Sequence, residues 1–344
     1  MAKCILRNST VIGDFMKPYI VAEVNTSHSG NIETAKEMID RVKKVGCDCV
    51  KFQSWSKESL YSKTYYDENP IAGRIVQKFA FSEAQLMEVA KYSKERGIAF
   101  SSTPYSSSEV DFLVDKCDAP YIKVASMDLN NYPYLEYIAS RGVPIVLATG
   151  MSSMEEVRKA VATIESTGNS NLCLLHCISI YPPEISTIHL NNIFGLRKEF
   201  PNYPVGFSDH SIGTEMATAA VAMGAAMVEK HFTLDRTKIG MDNQMATEPA
   251  EMAQLVRNCQ NVHIALGDTE RIVLPAEMEQ RKKLRRSIIA TRDLPAGTIL
   301  KKDDFGAKRP GTGFPPGKIN ELIGKVLIRD IQADTMISES DFFK

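Results

Sequence analysis

The chain has almost no net charge: 41 Lys and Arg against 42 Asp and Glu leave −1 over 344 residues. Without a basic excess there is little to neutralise a phosphate backbone, so no nucleic-acid partner is expected. Long apolar runs are missing too. No stretch approaches the ~20 residues a membrane span needs, and residues 1–7 lack the apolar block of a secretory signal. A cytoplasmic protein without membrane contact is the expectation. Cysteine is scarce and odd in number, at 7. Cys47 and Cys49 are separated by one residue and Cys173 and Cys177 share one apolar run; neither spacing suits a zinc site. Reduced, mostly buried thiols follow. There is no HExxH motif, and no glycine-rich turn after the first β-rich run, where Glu23 to His28 reads Glu-Val-Asn-Thr-Ser-His. That last absence counts against an open dinucleotide-binding sheet.

What is present is alternation. Short β-rich runs at residues 19–24, 49–53, 98–102, 121–125, 144–148, 172–178, 205–208 and 227–231 are separated by helical patterns, for example at 32–45, 82–96, 153–164, 215–223 and 249–266. Eight strand–helix units over roughly 250 residues predict an α/β fold, a (β/α)8 TIM barrel. Residues 54–80, after the second strand, are too long for an ordinary βα connection and read as a lid. The pattern changes near residue 270. We expect a barrel domain over 1–270 and a polar linker over 271–284, where Arg281-Lys282-Lys283 reads as solvated. A small domain of short strands and Pro/Gly-rich turns follows over 285–344.

The polar exceptions in these strands gather at their C-terminal ends. Strand one ends at Glu23, two at Lys51 and Gln53, three at Ser102 and Thr103. Strand four carries Lys123 and Ser126, five ends at Thr149, and six at His176, Ser179 and Tyr181. Strand seven ends in Ser208-Asp209-His210 and eight in Glu229-Lys230-His231. All eight strands are thus expected to aim polar groups at one rim, the face that carries the active site in this fold. Lys51 and Lys123 rise from strands buried on both faces, where an unpaired ammonium is costly. They imply an anionic ligand, or ion pairs with Glu23 and Glu229. The hydroxyls of Thr103, Ser126, Ser179 and Ser208 suit phosphate or carboxylate. His210 and His231 end adjacent strands, close enough to share a divalent metal with Glu23 or Asp242 nearby; two strand-end histidines without a metal are the other reading. His28, in the first loop, is open to substrate or metal. His176 reads as a satisfied buried histidine, His189 and His263 as surface or packing residues.

Taken in order, these segments resemble the sialic acid synthase family (N-acetylneuraminate, legionaminate and pseudaminate synthases). The likeness is carried by Ala22-Glu23 with His28-x-Gly30, Val50-Lys51-Phe52-Gln53, Ser102-Thr103-Pro104 and Ile122-Lys123-Val124-Ala125-Ser126. It continues through Ala148-Thr149-Gly150-Met151, Leu175-His176-Cys177 with Tyr181-Pro182, Gly206-Phe207-Ser208-Asp209-His210 and Glu229-Lys230-His231-Phe232-Thr233-Leu234-Asp235. The C-terminal part, with Lys308-Arg309-Pro310-Gly311, resembles the family's antifreeze-like domain (SAF, β-clip type).

The resemblance implies a synthase that joins phosphoenolpyruvate (PEP) to an N-acetylated amino-sugar aldehyde and releases phosphate. It implies a divalent metal, Mn2+ foremost with Mg2+ or Co2+ as alternatives, on His210 and His231, and a domain-swapped homodimer in which Arg309 reaches the partner's site. Lys51, Thr103, Lys123, Ser126 and Ser208 fall at PEP-binding positions, and Glu23, Gln53, Tyr181 and Asp242 on the sugar side. Glu229 matches a candidate acid or base; Glu23, Glu229 and Lys123 form the expected catalytic set. Ser27 stands where the family has Asn, Ser179 where Asn is common, Ala148 where some members have Ser, and Asp128 where an acidic residue is Glu. Ser179 and Asp128 are kept among the expected substrate contacts. A 3-deoxy-octulosonate or heptulosonate synthase, a Schiff-base aldolase acting through Lys123, and a non-enzymatic sugar- or ice-binding protein are the rival readings.

Overall fold

The computed structural model describes residues 2–238 and 240–342. The chain divides into two compact units, Met1–Gly267 and Asp268–Lys344.

The first unit is built on eight parallel strands: β1 Tyr19–Glu23, β2 Cys49–Ser54, β3 Ala99–Pro104, β4 Ile122–Val124, β5 Ile145–Ala148, β6 Leu172–Cys177, β7 Val205–Asp209 and β8 Met227–His231. Their order, β3-β2-β1-β8-β7-β6-β5-β4, brings the chain round on itself. At the seam between β3 and β4 the Ser101 hydroxyl donates to the Tyr121 carbonyl at 3.4 Å. The result is a nearly closed TIM-like barrel. Eight helices alternate with the strands: α1 Ile32–Val45, α2 Glu83–Glu95, α3 Ser107–Asp115, α4 Tyr132–Ser140, α5 Met154–Ser166, α6 Asn192–Glu199, α7 Glu215–Ala222 and α8 Pro249–Leu266. Local chemistry sets their ends. Ser82 and Ser153 form capping boxes with Gln85 and Glu156. Helix α1 starts on the Asn31 side chain and stops at Gly46, whose φ of 91° only glycine adopts freely.

The pleat sorts the strand side chains. Ile20, Ala22, Val50, Phe52, Phe100, Leu147, Leu174 and Phe207 face the helices in the larger core. Tyr19, Val21, Cys49, Tyr121, Val146, Cys173, Leu175 and Met227 fill the barrel interior. Cys4, Leu6 and Ile12 join that inner cluster. They come from an N-terminal hairpin pairing Lys3–Ile5 with Val11–Gly13, which plugs the barrel at the strands' N-terminal ends. The interior is therefore apolar below, and the next inward positions along the strands are Glu23, Lys51, Lys123 and Glu229.

Residues 54–80 carry three short helices, Lys57–Leu60, Lys63–Glu68 and Pro70–Phe79. They pack on a small core of Trp55, Val76 and Phe79. In the second unit, helix α9 Pro275–Leu284 lies within the stretch expected as a linker. Strands β9 Ser287–Ala290 and β10 Phe305–Lys308 pair antiparallel over a core that includes Ile288, Leu294, Leu300, Leu327 and Ile337. Gly311 donates its N–H to the Lys282 carbonyl at 2.8 Å, and a Cβ there would stand 2.7 Å from the Arg281 carbonyl oxygen. Arg309 is exposed in this unit.

Candidate active site

A cavity of about 270 Å3 opens at the C-terminal ends of the barrel strands. The expected residues Glu23, Lys51, Gln53, Thr103, Lys123, Ser126, Ser179, Tyr181, Ser208, His210, Glu229, His231 and Asp242 all line it. A larger cleft of about 560 Å3 lies at the opposite end of β3 and β4, beside α2. Its charged residues are surface side chains such as Lys91 and Lys94, and none of its ionisable groups is buried.

The cavity floor is a layer of four buried charges. Register places Glu23 opposite both Lys51 and His231, and Glu229 opposite Ser208. Lys51 forms an ion pair with Glu23, stands 3.7 Å from Glu229 Oε2 and donates to Thr103 Oγ1 at 3.0 Å. Lys123 stands 3.6 Å from Glu229 Oε1, which also accepts from the Ser208 hydroxyl at 3.1 Å. Both lysines thus meet glutamates, the alternative that the strand pattern left open. Burial and the neighbouring Glu229 charge push Glu23 above the usual carboxylate range, against the pull of Lys51. For Glu229 burial acts the same way, but Lys123 and Lys51 outweigh it and hold it ionised. Burial opposes the charge on Lys51 as well; Glu229 and Glu23 overcome that and raise it. Lys123, with less compensation and Lys51 nearby, is lowered, chiefly by burial. Glu229 Oε2 has no hydrogen-bond partner. A proton held on Glu23 would leave two ammonium groups facing one carboxylate, a floor with net positive charge.

Above this layer sit hydroxyls and amides. Gly150 donates its N–H to Ser126 Oγ at 3.0 Å, and a side chain at that position would strike Ser126 and Ser179. Gln53 donates to Glu23 Oε1 at 3.2 Å, and its own carbonyl accepts from Tyr105 at 2.7 Å and from Trp55 at 3.1 Å. The β1 and β8 loops are tied together. Met241 N–H donates to Thr26 Oγ1 at 3.0 Å, Ser27 to Asn243 at 2.5 Å, and Asn25 to the Asp242 carboxylate. Asp242 is thereby held 3.7 Å from His231 Nδ1.

The His210 and His231 rings stand 5.3 Å apart, with the Tyr181 ring 4.1 Å from His210. His210 Nδ1 lies 2.8 Å from the Ile178 carbonyl. A carbonyl only accepts, so Nδ1 carries the hydrogen and Nε2 is the nitrogen left to bind an ion. The Cys177 sulfur, 3.9 Å from the same nitrogen, is a weaker partner. Burial holds His231 well below the usual imidazole range and keeps it neutral. Burial opposes charge on His210, but the Cys177 sulfur and the Ile178 carbonyl outweigh it and raise its pKa; with its Nε2 deprotonated, His210 and the neutral His231 are fit donors for a divalent ion. Among the described residues no three His, Cys, Asp or Glu side chains gather closely enough to complete a metal cage.

Several expected positions fall elsewhere. Asp128 does not line the cavity; it lies half-buried on the turn after β4, accepting from Asn131 at 3.4 Å. Arg309 belongs to the second unit. The expectation that all eight strands aim polar groups at the rim fails at β5. Thr149 turns to the Leu175 carbonyl at 3.0 Å, and that strand end offers Ala148 and Met151 instead. Ser102 faces outward and bonds Ser54, while Asp209 and Lys230 pair with each other at 2.7 Å, away from the cavity. His28 stacks on Phe81 at 4.0 Å, and burial pushes it down to about 4. His176 meets the Ile188 carbonyl at 2.6 Å and is satisfied there. His189 is exposed at a φ of 47°, ahead of α6 rather than in a helix. Tyr105 and Cys177 also line the cavity. Cys177 ends β6, two residues before the named Ser179, whereas Tyr105 lies one residue beyond the end of β3.

The NeuB family profile matches residues 38–271 and the SAF domain profile residues 285–342. Human N-acetylneuraminate-9-phosphate synthase is 36% identical over 331 residues, covering 93% of this chain and 91% of that protein. N,N'-diacetyllegionaminic acid synthase of Legionella pneumophila is 35% identical over 338 residues, covering 94% of each. The crystal structure of N-acetylneuraminic acid synthetase from Leptospira borgpetersenii, in complex with citrate, superposes with a TM-score of 0.74 at 30% identity, covering 81% of this chain and 96% of that one. A barrel carrying the expected rim residues, matched over this length by sequence and by structure, makes the chain a member of the NeuB family.

Proposed function

We propose that the chain is a nonulosonate synthase. It condenses PEP with the open-chain aldehyde of an N-acetylated amino sugar, N-acetylmannosamine or a diacetamido-dideoxy hexose. The observation that carries this reading is the buried Lys51–Glu23–Glu229–Lys123 floor beside the adjacent His210 and His231 rings. It offers positive charge for a phosphorylated carboxylate and a carboxyl able to hold a proton.

In this reading Lys51, Lys123, Thr103, Ser126 and Ser208 hold PEP, while Gln53, Ser179, Tyr181 and Asp242 hold the sugar and Asp128 supports that side from the β4 turn. A divalent metal, Mn2+ before Mg2+ or Co2+, held by His210 and His231, supplies positive charge that polarises the aldehyde oxygen when bound. The PEP methylene carbon bonds to the aldehyde carbon. Glu23, kept towards its protonated form, is suited to deliver the proton that the aldehyde oxygen takes up. Water adds at the electron-poor C2 of PEP and passes a proton to the ionised Glu229. The C2–O bond to phosphate then breaks, giving inorganic phosphate and a nine-carbon keto acid. Positioning and charge compensation carry most of the rate.

The division into a catalytic barrel (1–270), a linker (271–284) and a sugar-capping domain (285–344) belongs to this proposal. So does a domain-swapped homodimer in which Arg309 serves the partner's site. Exposed Met127, Met151, Ile180 and Ile212 follow the strand ends around the mouth, which supports a covering partner. Seven free thiols support a cytoplasmic location, and among the described residues no helix is long and apolar enough to cross a membrane. The test is phosphate release from PEP with N-acetylmannosamine, its 6-phosphate and diacetamido-dideoxy hexoses. Release with none of these sinks the proposal.

A further inference from the structure

Two charged side chains at the ends of β7 and β8 have no part in the chemistry above. Asp209 and Lys230 precede His210 and His231 in the chain, and each is 1% exposed. The pleat sends the histidines into the cavity and these two residues to the opposite side of the barrel wall. They are direct cross-strand partners. Lys230 Nζ donates to Asp209 Oδ2 at 2.7 Å and to the Ser211 carbonyl at 2.5 Å. Asp209 Oδ1 accepts from the Ser211 N–H at 2.9 Å and from its hydroxyl at 2.7 Å. The four bonds form a closed ring through β8, β7 and the residue that follows His210.

Stability is a poor reason for such a pair. Buried charges lose about as much in desolvation as they regain from each other, and apolar residues of similar volume often serve as well. A directional ring does something that apolar packing does not: it sets the stagger of two strand ends and the path of the turn beyond them. Those two ends carry the imidazoles, and His210 is enclosed on both sides, by Asp209 before it and Ser211 after it. We propose that Asp209 and Lys230 are positioning residues for the metal site, holding the His210 and His231 rings at their 5.3 Å separation. The inference rests on the reading that these histidines hold a divalent ion.

The test uses the full-length protein and Mn2+ alone, with bound ion counted by the loss of the free Mn2+ signal in electron paramagnetic resonance. The paired replacement Asp209→Leu with Lys230→Met keeps the wall apolar and should leave the thermal midpoint nearly unchanged. Its Mn2+ affinity should fall roughly 10- to 100-fold, as for other groups that brace metal ligands. At saturating Mn2+ its KM for PEP should stay within about twofold of wild type, since PEP is held by other residues. Lys230→Arg, which keeps the charge, should retain the affinity. A folded double variant that binds Mn2+ like wild type overturns the positioning role. If the double variant does not fold, Ser211→Ala decides: it removes one bond of the ring, and unchanged Mn2+ affinity counts against the role, weakened affinity for it. Wild-type protein that binds no Mn2+ removes the metal reading itself, and the positioning role with it.

Discussion

The two floor lysines should answer differently to the same substitution. Lys51 is already committed to the protein: it pairs with Glu23, lies 3.7 Å from Glu229 and donates to Thr103 at 3.0 Å. Lys123 is held loosely, 3.6 Å from Glu229 and 3.4 Å from the Val124 carbonyl, both too long for a strong bond. Its ammonium is the one free to turn to a ligand. Lys123→Met should therefore fold and fail with PEP. Loss of one charge-assisted contact removes about 2–4 kcal/mol of transition-state binding, roughly 30- to 900-fold in kcat/KM for PEP. Lys51→Met strands Glu23, which is 1% exposed, and costs up to about 3–5 kcal/mol of stability. Proton uptake by Glu23, whose pKa is already raised, relieves part of that. The assay is phosphate release with PEP varied at saturating sugar, then the reverse, with a thermal melt of each variant. A folded Lys123→Met enzyme with normal KM for PEP and a raised KM for the sugar would refute the assignment.

Chelation should abolish activity and Mn2+ restore it; full activity in excess EDTA, after metal analysis shows the ion gone, would contradict a metal on His210 and His231. Tyr105→Phe deletes the hydroxyl that donates to Gln53 at 2.7 Å, and the loosened amide should raise the sugar KM by about 1 kcal/mol, near fivefold, with PEP little affected. Equal loss for both substrates would mean that Tyr105 does not act through Gln53. For Arg309, the test is complementation. Arg309→Ala and Lys123→Met should each be nearly inactive, yet mixed heterodimers should regain up to about a quarter of wild-type activity if the arginine serves the partner's barrel. No recovery in mixtures shown to contain heterodimers would place Arg309 in its own chain's site, or in none.

The barrel was legible because its strands are short, apolar and regularly spaced. Expected and observed strands agree within one to two residues at their ends. The cavity was legible because polar residues at the ends of such strands are rare, and most of those named line the same opening, Ser102, Thr149, His176, Asp209 and Lys230 being the exceptions. Tyr105 was not singled out, and Met151 only as part of a family-like stretch, because both lie beyond strand ends, where the backbone leaves the regular pleat.

The face that a polar residue takes was much harder to read, and the reason is physical. In a strand covered on both sides, inner and outer positions are equally apolar, so a period of two separates the faces without saying which is inward. Ser208 and Asp209, or Glu229 and Lys230, look alike in sequence although one of each pair enters the cavity and the other does not. The choice depends on which interior closes, and that is settled by residues far along the chain. Glu23 meets Lys51 because β1 and β2 pair in register. Lys51 meets Glu229 because β8 returns beside β1 to close the wall. The ambiguity between ion pair and anion site therefore could not be resolved one strand at a time. The closed barrel does not abolish it either, since with both lysines charged the floor is neutral only while Glu23 is ionised. Burial raises the Glu23 pKa, so a protonated Glu23 turns the same four residues from a balanced quartet into a receptor for negative charge.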